Sequence, residues 1–157
     1  DNIDYSGKNI LILGAGGVTS SIIHTLIFTA NKIFITNRTK EKAQQIKKKD
    51  STGKVEVIDW GQKPKVCDLV INTTSVGLIK NENLSLDFKD YENNKEVLFY
   101  DVIYNPEETA FLKDARLRGN KTMNGKKMFL HQARIAFQIW TGVVVEIDEE
   151  VIKLLDL

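Results

Sequence analysis

The stretch Gly14-Ala15-Gly16-Gly17-Val18 constrains this chain more than any other feature, because of what stands on either side of it. The apolar run Asn9 to Leu13 leads into the glycines, and the run Val18 to Ala30 behind them reads as a helix, so the turn joins a strand to a helix. Gly14 permits a tight turn at that junction, and Gly16 lets another group approach the backbone closely. The N–H groups at the start of the helix, with the positive end of its dipole behind them, then face whatever lies over the turn. Such a turn suits a phosphate and relies on backbone geometry instead of side-chain charge.

The following strand, Ile33 to Thr36, ends at Asn37-Arg38-Thr39. In dinucleotide folds an acid at this place accepts the ribose hydroxyls of NAD. Here no carboxylate is present to repel a phosphate, and the Arg38 guanidinium offers a fixed fork to hold one. The two segments together predict a dinucleotide site that prefers NADP. Thr39 adds a hydroxyl, Lys42 and less directly Lys40 add positive charge, and Arg38 can also stack on an adenine face. A plainer reading stands beside this one, with Thr39 as a helix N-cap and both lysines as solvated helix residues.

At 157 residues the chain makes one domain with a substantial core, but it is short for a complete two-domain dehydrogenase. A net charge of +1, with lysines spread among acids apart from Lys47-Lys48-Lys49, leaves no nucleic-acid footprint. A single cysteine, Cys67, rules out an internal disulfide, and the two histidines, His24 and His131, stand in no metal-binding pattern, so no metal is expected. No signal peptide and no membrane-length apolar run is evident, so no membrane partner is expected and the simplest location is the cytoplasm.

Short apolar strands keep alternating with helices along the rest of the chain. A polar helix from Thr39 to about Lys49 precedes a strand at Val55 to Ile58, and a break at Gly61 to Pro64 precedes a buried strand at Leu69 to Asn72. Strands at Val97 to Asp101 and Lys121 to Met123 flank a helix from about Glu107 to Arg118. A long helix from Lys126 to about Trp140 follows, then a short one from Asp148 to Leu155 with Asp148 as N-cap. Lys80 to Asn94 reads as a long surface loop or a short helical excursion. The pattern predicts an α/β domain with a doubly wound parallel sheet of the Rossmann type.

In such a sheet ligands lie beyond the carboxyl ends of the strands. Thr73-Thr74-Ser75 falls there, where small polar groups can contact the cofactor's ribose or pyrophosphate, although taken alone the segment reads first as a turn built by turn-favouring residues. Tyr104, in Asp101-Val102-Ile103-Tyr104-Asn105-Pro106, falls at the rim of the same crevice, where a plain surface tyrosine is the commoner case.

Taken in order, Gly14 to Gly17, Asn37-Arg38-Thr39, Ile71 to Gly77, Asp101 to Pro106 with Thr109, then Gly125, Gln132-Ala133, Phe137 and Trp140-Thr141-Gly142 resemble the shikimate dehydrogenase family. Members of that family reduce 3-dehydroshikimate to shikimate with NADPH, on the way to the aromatic amino acids. The resemblance implies that Gly14 to Val18 bind the pyrophosphate and that Asn37 to Lys42 surround the adenosine phosphate. It implies further that Val102 and Gly125 lie along the nicotinamide and that Tyr104 and Gln132 contact the substrate. Gln132 stands at the edge of an apolar helical stripe, Phe129, Ala133, Ala136, Phe137 and Trp140, and the stripe itself reads as core.

Some positions depart from the family. Thr19 replaces the glycine or alanine at the third signature position, so helix and strand are expected to sit a little differently there. Lys126-Lys127 replaces a leucine and a second glycine that commonly stand near the nicotinamide. The family's catalytic lysine and aspartate belong to an N-terminal domain, whereas this sequence starts at Asp1, just before the Ser6-Gly7-Lys8-Asn9 that resembles the start of the cofactor domain. No catalytic residue is therefore assigned, the chain reads as the cofactor half of a longer enzyme, and it is expected to be inactive alone. Without the other half, Phe129, Phe137, Trp140, Val151 or Leu154 would be partly exposed and would favour self-association as a homodimer. Three alternatives stand beside this reading: a stand-alone NADP-binding module without catalysis, a quinate/shikimate dehydrogenase that uses NAD, and a glutamyl-tRNA reductase. Arg38 argues against NAD, and the blocks at Asp101 to Pro106 and Gln132 to Gly142 argue against the reductase.

Overall fold

A computed structural model describes residues 4–79, 82–92 and 94–154. Six strands, β1 (Asn9–Leu13), β2 (Lys32–Thr36), β3 (Val55–Val57), β4 (Leu69–Asn72), β5 (Leu98–Asp101) and β6 (Lys121–Met123), form one sheet in the order β3-β2-β1-β4-β5-β6. Every neighbouring pair is parallel. The order reverses between β1 and β4, and the crevice beyond their carboxyl ends is the switch point of the sheet.

The central strands are apolar because both faces of the sheet are covered. Ile10, Ile12, Ile33 and Ile35 pack beneath α1 (Gly17–Leu26) and α2 (Lys40–Lys47), with Ile23, Leu26, Ile27 and Ala43 above them. Leu11, Leu13, Val70 and Phe99 face the other way, onto Phe111, Leu112 and Ala115 of α3 (Ala110–Leu117). Each isoleucine, leucine, valine or phenylalanine wholly withdrawn from water in this way contributes about 1.5–3 kcal/mol.

The loop regions differ from the sequence expectations in instructive ways. Leu84, Phe88 and Tyr91 are buried in the second cluster, and a single 3-10 turn at Lys89–Tyr91 carries Tyr91. The described part of the Lys80 to Asn94 stretch is thus a largely exposed loop with a short helical turn, as expected, but three of its side chains anchor it in the core; Lys80, Asn81 and Asn93 lie outside the described residues. The helix expected to run to Ala30 ends at Leu26, since Thr29 and Ala30 both donate to the Leu26 carbonyl and tighten the last turn.

The long helix α4 (Lys126–Thr141) stops at Gly142, whose left-handed φ of 73° closes its end. The closing helix α5 (Glu149–Leu154) opens on Asp148, whose carboxylate accepts from the Val151 N–H at 2.9 Å, as an N-cap should. Leu155 and the Leu154 side chain lie outside the described residues. The apolar stripe of α4 is not core: Leu130 alone is buried on this helix, Phe137 is exposed, and Trp140 is 81% exposed. Among the described residues no helix is long and apolar enough to cross a membrane, and no group of three or more His, Cys, Asp or Glu is placed to hold a metal.

Candidate functional site

A cleft of about 230 Å³ opens at the switch point, lined by Gly14, Ala15, Gly16, Asn37, Arg38, Lys42, Trp60 and Thr73 to Val76. Among the described residues its lining includes two cations and no carboxylate. The glycine turn, the end of β2 and the loop after β4 meet here because β1 lies between β2 and β4 in the sheet.

The glycine turn is fixed by its neighbours. The Gly14 N–H donates to the Thr36 carbonyl at 2.8 Å, and Gly14 has a φ of +111°. A Cβ at Gly14 would stand 2.7 Å from the Thr73 hydroxyl, so only glycine lets the two loops approach. Gly16 occupies the N-cap of α1 with no capping side chain, no acid stands in the first turn, and a Cβ at Gly16 or Gly17 would meet nothing within 4 Å. The first N–H groups of α1 therefore have no side chain of their own as partner, which is the arrangement that favours an anion.

Thr19, which departs from the usual signature, is fully buried and joins the two loops. Its one hydroxyl proton is shared between the Thr73 hydroxyl at 2.8 Å and the more distant Gly14 carbonyl at 3.3 Å, while the Thr73 hydroxyl donates to the Leu13 carbonyl at 2.9 Å. A threonine is accommodated because the opposite loop supplies the matching hydroxyl. The Thr74 hydroxyl is also engaged in the loop, donating to Asn72 Oδ1 at 2.7 Å and accepting from the Val76 N–H at 3.1 Å. Thr73 and Thr74 build the turn while their segment lines the cleft, and Ser75 stands exposed at its mouth.

On the opposite wall, Asn37 donates through its amide to the Thr39 carbonyl at 2.7 Å, which shapes the start of α2. Thr39 is the N-cap by position, but its hydroxyl makes no capping bond and it does not line the cleft. Of the two lysines, Lys42 lines the cleft, whereas Lys40 pairs with Asp59. Trp60 is the lining residue that motif spacing misses; it belongs to no glycine or basic motif and reaches the cleft only because β3 delivers the following turn beside β2.

The remaining candidate residues lie away from this cleft. Val102 and Gly125 touch each other: a Cβ on Gly125 would sit 2.0 Å from the Val102 carbonyl oxygen, and the Gly125 N–H donates to the Ile103 carbonyl at 3.1 Å. Tyr104 stacks on Phe129 of α4, with ring centroids 4.4 Å apart. Gln132 and Val18 line a second cleft of about 330 Å³, between α1 and α4, that also includes Met128, Tyr100 and Tyr5. Lys126 is half-buried and Lys127 exposed in the first turn of α4.

Next to Val102 in the chain lies a hydrogen-bonded carboxylate that no motif singles out. Asp101 is fully buried and accepts from the Thr109 hydroxyl at 2.7 Å, the Ile103 N–H at 3.1 Å and the Asn72 amide at 3.1 Å. Burial pushes its carboxyl above the usual carboxylate value, against the pull of those three bonds. Thr109 caps α3 by accepting from the Leu112 N–H at 3.4 Å, so one carboxylate ties β4, β5 and α3 together at the crevice.

The strand order, the wholly parallel sheet and the glycine turn at its switch point define a doubly wound, Rossmann-type domain. Residues 1–111 match the model of the Shikimate / quinate 5-dehydrogenase family, and the chain belongs to that family. It is 46% identical over 155 residues to a shikimate dehydrogenase (NADP(+)) of Pelagibacter ubique, covering 98% of this chain and 57% of that relative. The crystal structure of shikimate dehydrogenase from Aquifex aeolicus matches with a TM-score of 0.76 at 36% identity, over 91% of this chain and 52% of that one. A shikimate dehydrogenase in complex with NADP+ matches with a TM-score of 0.79 at 34% identity, over 95% of this chain and 53% of that one. The chain spans about half the length of the curated relatives it matches.

Proposed function

We propose that this chain is the NADP-binding part of a shikimate dehydrogenase, which reduces 3-dehydroshikimate reversibly to shikimate. The observation that carries the reading is the cleft in which an open glycine turn at a helix start faces Arg38 and Lys42 with no acid in its lining. The family membership and the NADP named in the relatives agree with it.

The cleft fits the cofactor by its donor chemistry. Gly14 to Val18 hold the pyrophosphate through backbone N–H groups, and Arg38 and Lys42 hold the phosphate on the adenosine ribose, with Asn37 and Thr39 shaping the segment that carries them. The Thr73 to Ser75 segment closes the facing side. NADPH, when bound, supplies the hydride. Val102 and Gly125, in backbone contact, set the position of its nicotinamide end, and Tyr104 and Gln132 offer a hydroxyl and an amide to the polyhydroxylated substrate. Hydride transfer to a ketone also needs a proton for the developing alkoxide. That acid, and the rest of the substrate site, belong to the other half of a family-length protein, and the 157 residues alone are expected to bind cofactor without turnover. The exposed apolar side of α4, with Phe137 and Trp140, is the surface that other half covers.

Calorimetric titration with NADP and, separately, NAD tests the reading. NADP is expected to bind more tightly than NAD. Arg38→Ala is expected to weaken NADP by about ten- to a hundredfold, the worth of a charged phosphate contact, while NAD changes little. Equal affinities in the unaltered chain would remove the NADP assignment, and preference for NAD would favour the quinate branch of the family.

A further inference from the structure

We propose that Trp60 is the aromatic wall of the adenosine end of this cleft and that its indole stacks on the adenine ring of the dinucleotide. The inference rests on the dinucleotide reading above and assigns a ligand contact to a residue outside every recognised motif of the chain.

Trp60 is held in place from both sides. The residue before it, Asp59, accepts at its carbonyl from the Thr36 hydroxyl at 2.9 Å, which ties the turn to the last residue of β2. The Asp59 carboxylate pairs with Lys40, the first residue of α2. Asp59 and Gln62 close the turn through two bonds, the Gln62 N–H donating to the Asp59 carbonyl at 3.0 Å and the Asp59 N–H to Gln62 Oε1 at 3.2 Å. The indole therefore stands on a turn anchored to the same two elements that present Asn37, Arg38 and Lys42.

Its surroundings divide into two kinds. On one side Trp60 packs against the buried cluster of Leu11, Leu13, Val70 and Phe99, as Phe34, Ile58 and Val76 also do; it is only half-buried, and what remains lines the cleft. A pure core tryptophan would be enclosed, and a surface one would not share a concave site with two cations. Arg38 and Lys42 supply charge for a phosphate but no flat apolar surface apart from the guanidinium plane. The indole supplies that surface, rigidly and with few rotatable bonds, for a planar ring next to the phosphate. Stacking of a base on an aromatic side chain changes affinity by about five- to a hundredfold when the ring is removed.

The test uses the full chain in a Trp140→Phe background, which leaves Trp60 as its one indole. Probes are NADP, NAD, 2′,5′-ADP and nicotinamide mononucleotide, followed by calorimetry and by tryptophan emission. 2′,5′-ADP should change the Trp60 emission in a saturable way, and nicotinamide mononucleotide should not. Trp60→Ala should weaken NADP, NAD and 2′,5′-ADP by a similar factor, about five- to a hundredfold, whereas Trp60→Phe should stay within about threefold of the parent. Trp60→Leu keeps apolar packing without a π face; it separates stacking from folding where the alanine variant unfolds, and should bind as weakly as alanine. A folded Trp60→Ala or Trp60→Leu that binds 2′,5′-ADP like the parent overturns the proposal and leaves the NADP reading standing. Failure of the parent to bind any dinucleotide overturns both.

Discussion

Asp101 shows how one residue can serve a site without facing it. Its carboxylate collects three donors from β4, the loop after β5 and the start of α3, and burial still raises its proton affinity. A carboxyl whose folded pKa exceeds its unfolded value holds its proton more tightly in the folded chain. Its contribution to stability is therefore full below about pH 4 and is lost as pH rises through the folded value. Asp101→Asn removes the titration while retaining a carbonyl acceptor. Denaturation midpoints measured from about pH 4 to about pH 7 should show the parent losing stability relative to Asp101→Asn, with the loss complete above the raised pKa. A difference that stays constant, or moves in the parent's favour, would mean that the carboxyl is not raised.

At the scale of elements, the start of α4 is set by a single missing side chain. Gly125 forms the N-cap of α4, and its Cα lies so close to the Val102 backbone that any Cβ would overlap the carbonyl. Gly125→Ala must push α4 away from the loop after β5 and strain the contact between Tyr104 and Phe129. A stability loss of about 3 kcal/mol, the upper range for overpacking, is expected in urea denaturation. Gly16→Ala makes the contrast, since its Cβ meets open space; it should cost only about 1 kcal/mol, the preference of an N-cap for glycine over alanine with no overlap added. Equal losses at the two positions would contradict the packing argument.

For the whole molecule, the unusual feature is a helix that is amphipathic yet uncovered. Ile139 is 75% exposed and Trp140 81% exposed, and Val143 and Val144 extend the apolar surface beyond the helix. Soluble monomers rarely leave such a face bare. In the proposed reading the rest of a family-length protein covers it, and copies of the isolated chain cover it for one another. Sedimentation of the 157-residue chain is expected to show dimers that form with rising concentration, and Ile139→Lys with Trp140→Lys should return monomers without a change in dinucleotide affinity. A monomer at every concentration would count against this use of α4.

Much of the framework was legible from residues alone. The spans of β1 and β4 coincide with those expected from the apolar runs, because strands buried on both faces read as uninterrupted hydrophobic segments between turn residues, and the edge strand β6, which has no buried residue, also falls where it was expected. The glycine turn and Arg38 were legible for the same reason, since both belong to one strand-turn unit and its neighbour in sequence. What local patterns could not contain were contacts between distant segments. The tertiary structure decided that Trp60 enters the cleft, that Thr19 finds its partner in Thr73, and that Asp101 gathers donors up to 29 residues away. It decided too that the stripe of α4 is exposed while Leu84, Phe88 and Tyr91 are buried. Periodicity tells which face of an element is apolar, but the path of the chain determines what, if anything, lies against that face.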